Sequence, residues 1–262
     1  RVGMDAAAHI AALRPAGRVD VSATKSSATD AVTDIDRASE EFIRDRLVAA
    51  RPDDTIIGEE GEDRAGTSSV SWLVDPIDGT VNFVYGIPAY AVSLAAVQDG
   101  DVVAGFVVNV VSCEAWGAAL GYGALHWQPG QEMPSLLTAT PPPVAGLAHA
   151  LVATGFNYVP NVRARQAAAV AQLMPHVRDI RRFGSAALDL CALASGRFDA
   201  YVEQGLQPWD LAAGALICRE AGLTVSGLDD DGRPGPPGER LVIAAHPSLF
   251  REFFSLVRAC GF

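Results

Sequence analysis

The sequence predicts an α/β fold in which helices cover a sheet, and three observations carry that expectation. Beyond residue 150, short apolar runs alternate with helical patterns. Strands are expected at 151–153, 179–183, 199–202 and 241–244, and helices at 163–174, 185–195, 209–221 and 247–259. Such a rhythm belongs to a helix-covered sheet. Earlier in the chain, apolar runs at 90–97 and 102–111 flank Gln98-Asp99-Gly100-Asp101, and Asp-Gly between apolar runs is a strong hairpin signal. The third observation is bulk: 262 residues, 49% of them hydrophobic, are enough for a large buried core.

The remaining elements follow in order. Residues 4–14 read as a helix. Thr33-Asp34 precedes a capped amphipathic helix over 37–50, with Ala38, Phe42, Ile43, Leu47 and Val48 at helical spacing and Arg51-Pro52 as the stop. A short strand at 55–57 runs into Gly58-Glu59-Glu60, and the polar segment 61–70 reads as a mobile loop. A second strand, 72–74, ends in Asp75, and Pro76 is expected to break it. Thr80 suits the N-cap of a short helix through Val84. Residues 114–127 give another strand pair, turning at Gly121 and Gly123. Pro141-Pro142-Pro143 marks the expected boundary between an N-terminal half, 1–140, and a C-terminal half, 141–262. The acidic loop at 229–238 carries prolines that spoil regular calcium-ligand spacing.

A net charge of −11 repels nucleic acid and anionic membranes, so neither is an expected partner. It is compatible with a phosphate substrate if bound cations invert the local field. Among 20 basic residues Lys25 is the single lysine, which singles it out. Cys113, Cys191, Cys218 and Cys260 are scattered without a C-x-x-C pair, as in a reduced cytoplasmic protein. The longest apolar run, 102–111, falls far short of the roughly 20 residues of a membrane span. Arg1, Asp5, Arg14 and Arg18 interrupt any signal-peptide core, and a start on Arg1 implies preceding residues.

The chemistry gathers around carboxylates. In Trp72-Leu73-Val74-Asp75-Pro76-Ile77-Asp78-Gly79-Thr80 a buried strand delivers Asp75, and Gly79 allows a tight turn. Asp75 and Asp78 then meet at a helix start, where backbone N–H groups favour an anion. Glu59-Glu60 lies at another strand end; strand alternation lets one glutamate at most face a given site. Asp210, after Pro208-Trp209, sits just inside a helix whose Ala212, Ala213 and Gly214 permit close packing. Each acid alone could be a cap or a solvated charge. Four together at strand ends and helix starts are costly unless cations neutralise them, and hard oxygen ligands suit Mg²⁺.

Lys25-Ser26-Ser27, Thr33-Asp34-Ile35-Asp36, Gly58-Glu59-Glu60, the Asp75–Thr80 box with Asn82-Phe83, Phe183-Gly184-Ser185-Ala186-Ala187 and Trp209-Asp210 together resemble the inositol monophosphatase family over nearly the whole chain. Within it the chain looks nearest to the actinobacterial, extragenic-suppressor-type enzymes. The resemblance implies a layered αβαβα sandwich, a homodimer, lithium inhibition and two to three Mg²⁺ ions per site. It implies hydrolysis of a phosphomonoester, most plainly myo-inositol-1-phosphate, by a metal-activated water. Glu59, Asp75 and the Ile77 carbonyl would hold one ion, and Asp75, Asp78 and Asp210 a second. Glu60 would support a third. Thr80, with Asp36, would orient the water, Lys25 would add electrostatic support, and Gly79 and Thr80 N–H groups would receive phosphate oxygens. Asp78, Gly184, Ser185, Ala186, Glu203 and Asp210 would contact the polyol.

Two rivals stay open. A fructose-1,6-bisphosphatase-like or broader sugar phosphatase needs extra cations, which Arg181-Arg182 could provide. A binding scaffold for the transcription machinery is the rival from another class. A haloacid-dehalogenase mechanism fits poorly, because Asp75 and Asp78 are three apart with a proline between.

Overall fold

A computed structural model describes residues 1–25, 31–142 and 146–262; Ser26, Ser27 and Pro143 lie outside them. A seven-stranded sheet is built from β3 (Thr55–Gly58), β4 (Val70–Asp78), β5 (Ala91–Gln98), β6 (Asp101–Asn109), β7 (Ala115–Ala119), β8 (Gly123–Trp127) and β9 (Ser135–Leu137), in that order. Only β3 and β4 run parallel. Ahead of it β1 (Ala23–Thr24) and β2 (Ala31–Val32) form a two-stranded ribbon. The second sheet has six strands: β10 (Leu151–Thr154), β11 (Asp179–Arg181), β12 (Ala200–Glu203), β13 (Thr224–Leu228), β14 (Pro234–Gly235) and β15 (Val242–Ala245), in the order β11-β10-β12-β15-β13-β14.

Helices make the other three layers. α1 (Val2–Leu13) and α2 (Asp34–Ala50) cover the outer face of the first sheet, while α3 (Thr80–Tyr85) is a short helix after β4. α5 (Ala186–Ala194) and α6 (Pro208–Glu220) are sandwiched between the sheets, and α4 (Pro160–Leu173) and α7 (Pro247–Ala259) flank the second sheet. The αβαβα sandwich is thus present. Strand alternation explains it: on β5, Ala91 and Ala95 join the α5/α6 core, whereas Val92 and Leu94 join the α1/α2 core. On β12 Tyr201 faces α5/α6, and Ala200 and Val202 face α4/α7.

Several expectations need correction. Pro76 does not end its strand; β4 continues to Asp78, and only the pairing skips. Asp75 opposes Ser93 and Asp78 opposes Ala91, so three residues on β4 span two on β5, a bulge. Thr80 is not the cap: Gly79, at φ 95°, caps α3 and Thr80 is its first helical residue. Segment 61–70 is tied down, since Arg64 and Ile56 exchange backbone hydrogen bonds of 2.8 and 2.9 Å. β9, β13 and β14 were not anticipated, being short and containing serine, glycine or proline. The Asp-Gly hairpin is as expected, with φ of 53° at Asp99 and 90° at Gly100.

Asp54, 2% exposed, anchors the α2–β3 link by accepting from Arg51 Nε (2.8 Å), Ser68 Oγ (2.7 Å) and Trp72 Nε1 (2.9 Å). These donors, the Arg51 hydrogen bond foremost, hold its carboxyl down at about 2. A depressed carboxylate contributes stability that is complete above its unfolded pKa and fades as pH falls through the folded one. Between pH 5 and 3, wild type should therefore lose about 1 kcal/mol more stability than Asp54→Asn in urea titrations. Parallel curves for the two proteins would contradict this.

Candidate active site

One cavity of about 450 Å³ is lined by Lys25, Glu59, Asp75, Ile77, Asp78, Gly79, Thr80, Gly184, Ser185, Ala186, Glu203 and Asp210. Asp36 and Glu60 do not line it and reach it through Thr80 and Lys25. The bulge in β4 is what aims the first two aspartates. Partners in a ladder point to the same face, and Ser93 and Ala91 are two apart on β5 and share the α6 face. Asp75 and Asp78 therefore share it too, which unbroken alternation over three residues would forbid. Ser93 Oγ donates to the Trp209 carbonyl at 3.0 Å, fastening the start of α6 and hence Asp210 above the bulge.

Asp78 is held by the second half of the chain. Its Oδ2 accepts from Ser185 Oγ (2.5 Å) and from the Ala187 N–H (2.7 Å). The Ser185 hydroxyl is thereby committed to Asp78, not turned to a substrate. Gly79 fits because a Cβ there would lie 3.0 Å from the carbonyl oxygens of both Ala89 and Gly184. Asn82 Nδ2 donates to the Ala89 and Phe183 carbonyls at 2.7 and 2.6 Å, closing the same junction.

Asp75 Oδ1 accepts the Ile77 N–H (3.0 Å), and Asp210 Oδ2 accepts the Gln207 N–H (2.7 Å). Burial, then the charges of Glu59, Asp78 and Asp210, raise the Asp75 carboxyl far above the usual range. Burial and Asp78 do the same to Asp210. Asp78 rises to about 6, chiefly by burial, with its Ser185 and Ala187 hydrogen bonds opposing. This is a nest of acids short of positive charge.

Lys25, carried just beyond β1, meets that shortage. Its Nζ lies 2.6 Å from Glu59 Oε1 and also contacts Glu60 Oε1. Of the two glutamates Glu59 alone lines the cavity, as expected, and Glu60 reaches it through Lys25. Glu60 is buried and raised to about 7, mainly by burial. Its backbone N–H is held by Glu40 Oε2 at 2.7 Å, and Gly58 leaves the room that the Glu40 carboxylate occupies.

Thr80 Oγ1 lies 3.2 Å from Asp36 Oδ1 and 3.1 Å from the Ile77 carbonyl. Asp36 is buried and also accepts from Thr33 N–H at 2.9 Å and from the Thr33 hydroxyl. Burial raises its proton affinity despite those bonds. Thr80 thus carries a hydroxyl at the cavity wall backed by a carboxylate.

The structure separates the Arg181-Arg182 pair that the sequence offered together, and it adds neighbours that sequence reasoning missed. Arg182 lines the cavity, whereas Arg181 is paired with Asp179 outside it. Asp189, 2% exposed on α5, is raised well above the ordinary range by burial and then by Glu203; an acid in the otherwise apolar run 186–194 was the available signal. The outer wall comes from 155–159 and 204–207, tied together by Gln166, which accepts from the Asn157 N–H (2.8 Å) and donates to the Gln204 carbonyl (3.1 Å). Trp209 Nε1 is buried at the wall without an acceptor among the described residues.

A model of the inositol monophosphatase family matches residues 3–261. The chain belongs to the inositol monophosphatase family. Inositol-1-monophosphatase of Mycobacterium leprae is 50% identical over 86% of this chain and 77% of its own length. The structure of Mycobacterium tuberculosis SuhB superposes with a TM-score of 0.81 at 42% identity, covering 99% of this chain and 94% of that one. A relative named Nus factor SuhB, from Pasteurella multocida, is 37% identical over 93% of this chain and 88% of its own. As a member of the family the chain is a phosphoric monoester hydrolase, and the family is generally metal-dependent. Among the described residues no helix is long and apolar enough to cross a membrane.

The residues present fit a hard divalent cation. Four carboxylates, one just past β3 and the others on β4 and α6, offer oxygen donors only, and the Lys25 ammonium already stands against Glu59 where a bound cation could. Among the described residues no group of three or more Asp, Glu, His or Cys side chains is gathered as a finished cage; the acids face an open cavity. Lys25→Ala is expected to lower Mg²⁺-supported turnover about tenfold or more and to lower stability by less, because its pair with Glu59 is partly exposed and only the one with Glu60 is buried. Turnover and Tm measured in parallel check this; proportionate loss of both would make Lys25 a structural residue.

Proposed function

We propose that this cytoplasmic enzyme hydrolyses myo-inositol-1-phosphate to myo-inositol and phosphate with Mg²⁺. What carries the reading is the convergence of Glu59, Asp75, Asp78 and Asp210 on one cavity that also holds Glu203. Glu59, Asp75 and the Ile77 carbonyl would hold one ion, Asp75, Asp78 and Asp210 a second, and Glu60 would support a third. Bound there, Mg²⁺ supplies charge neutralisation and eases deprotonation of water.

The chain's own groups do the rest. Thr80 Oγ1 can accept a hydrogen bond from water while donating to Asp36, fixing where the water's remaining lone pair points and giving its proton a route to a buried carboxylate. Gly79 and Thr80 N–H groups face the place where phosphate oxygens arrive. Gly184, Ser185 and Ala186 press backbone against the ring, and Glu203 accepts its hydroxyl hydrogens. Asp210 sits beside the leaving oxygen.

Turnover of myo-inositol-1-phosphate, fructose-1,6-bisphosphate and p-nitrophenyl phosphate, each with Mg²⁺ and with EDTA, tests this reading. The expected result is Mg²⁺-dependent hydrolysis led by the inositol ester, inhibited by Li⁺, from a protein that sediments as a dimer. Preference for the bisphosphate would assign Arg182 to a second phosphate. The Nus factor relative motivates a second reading, a transcription-machinery partner. A protein inert toward all three esters would favour it.

A further inference from the structure

Glu203 does not stand free at the cavity edge. On β12 it is two residues from Tyr201, so both side chains project from the same face of the sheet, toward α5 and α6. Tyr201 is fully buried, and its phenol donates to Glu203 Oε2 at 2.7 Å. The neighbouring strand shapes the other side. β10 pairs with β12 up to Thr154–Val202, and the residues that follow are Gly155, just past the end of β10, and Glu203, the last of β12. A Cβ on Gly155 would lie 2.0 Å from Glu203 Oε1 and 2.2 Å from its Cδ, so the carboxylate occupies space that only glycine leaves.

Resting on the phosphatase reading, we infer that Tyr201 is a positioning residue for substrate choice: it binds one oxygen of Glu203 and leaves the other as a single, directed acceptor for a polyol hydroxyl. Tyr201 itself does not line the cavity and touches no substrate. A carboxylate with both oxygens free can rotate to meet many donors, but one pinned by a phenol and seated over a glycine accepts along one direction. That converts a generic acid into a test of hydroxyl position. The charged form is needed for this, and the same phenol favours it: burial holds Glu203 up at about 7, with the Tyr201 hydrogen bond pulling the other way. Asp78 adds to the rise and Arg182 opposes it. Removal of the phenolic hydroxyl alone, in Tyr201→Phe, leaves the ring and the core packing in place.

The test compares wild type, Tyr201→Phe, Glu203→Ala and the double variant in Mg²⁺. The substrates are myo-inositol-1-phosphate and p-nitrophenyl phosphate, which has no hydroxyl for Glu203. The ratio of kcat/KM for the inositol ester to that for the aryl ester should fall about tenfold in Tyr201→Phe, mostly through KM for the inositol ester. The double variant should discriminate no worse than Glu203→Ala alone, since the phenol acts through that carboxylate. A ratio unchanged in Tyr201→Phe while Glu203→Ala lowers it would overturn the inference and leave the phosphatase reading intact. So would losses that add in the double variant, the mark of a purely structural tyrosine. A wild-type protein inert toward both esters would overturn the phosphatase reading and this inference with it.

Discussion

Asp75→Asn should lose about 10³-fold or more in kcat/KM, equivalent to about 4 kcal/mol of transition-state stabilisation. The substitution is nearly isosteric and keeps the oxygen that accepts from the Ile77 N–H, so the loss reports charge, not shape. Asp75 is also hemmed in by other acids, with Glu59, Asp78 and Asp210 all acting on it. Without divalent cations, a buried negative charge among like charges destabilises the fold. The same variant should therefore melt about 3 °C or more above wild type in EDTA, since about 1 kcal/mol moves Tm by a few degrees at this size. Mg²⁺ should raise Tm in wild type and much less in the variant. Activity assays and paired melts in EDTA and Mg²⁺ check all three. A variant that keeps its activity, or that melts lower than wild type in EDTA, would contradict the role given to Asp75.

Gly105→Ala should be felt at the site although Gly105 is not one of its residues. A Cβ at Gly105 would lie 2.9 Å from Ala213 Cα and 3.0 Å from the Ala213 carbonyl oxygen, backbone atoms on α6 that cannot rotate away. The helix must lift off β6, at a cost of about 2 kcal/mol or more. Its start carries Asp210 and the Trp209 carbonyl that Ser93 holds, so the damage should travel to the site. The expected result is a Tm lower by about 5 °C, with a raised Mg²⁺ requirement for activity. A normal Mg²⁺ dependence in a destabilised protein would mean that helix packing and the cation site are independent.

The elements were legible because their signals are periodic. Alternating strands and helices after residue 150 point to a helix-covered sheet and the Asp-Gly turn to a hairpin, while the five-layer stacking was implied by the family resemblance. The carboxylates stood out for a different reason, their positions at strand ends and helix starts. What stayed hidden depended on partners distant in the chain. Nothing local says that β4 bulges between Asp75 and Asp78, because the register is set by Ser93 and Ala91 on the next strand. The fate of the Ser185 hydroxyl depends on Asp78, 107 residues away. Nothing in the strand at 199–202 singles out Tyr201, because its bond to Glu203 and the room that Gly155 leaves for that carboxylate appear only when the strands pair. Lys25 was noticed as the single lysine, but its hold on both glutamates appears only in the fold.

Diffraction from Mn²⁺-soaked crystals, collected at the manganese edge, tests the central claim most directly. Anomalous peaks bounded by Glu59, Asp75, Asp78 and Asp210, with Lys25 withdrawn from Glu59, are the result that charge and donor chemistry predict. A cavity with no anomalous density, and Lys25 still seated on Glu59 at saturating Mn²⁺, would contradict it.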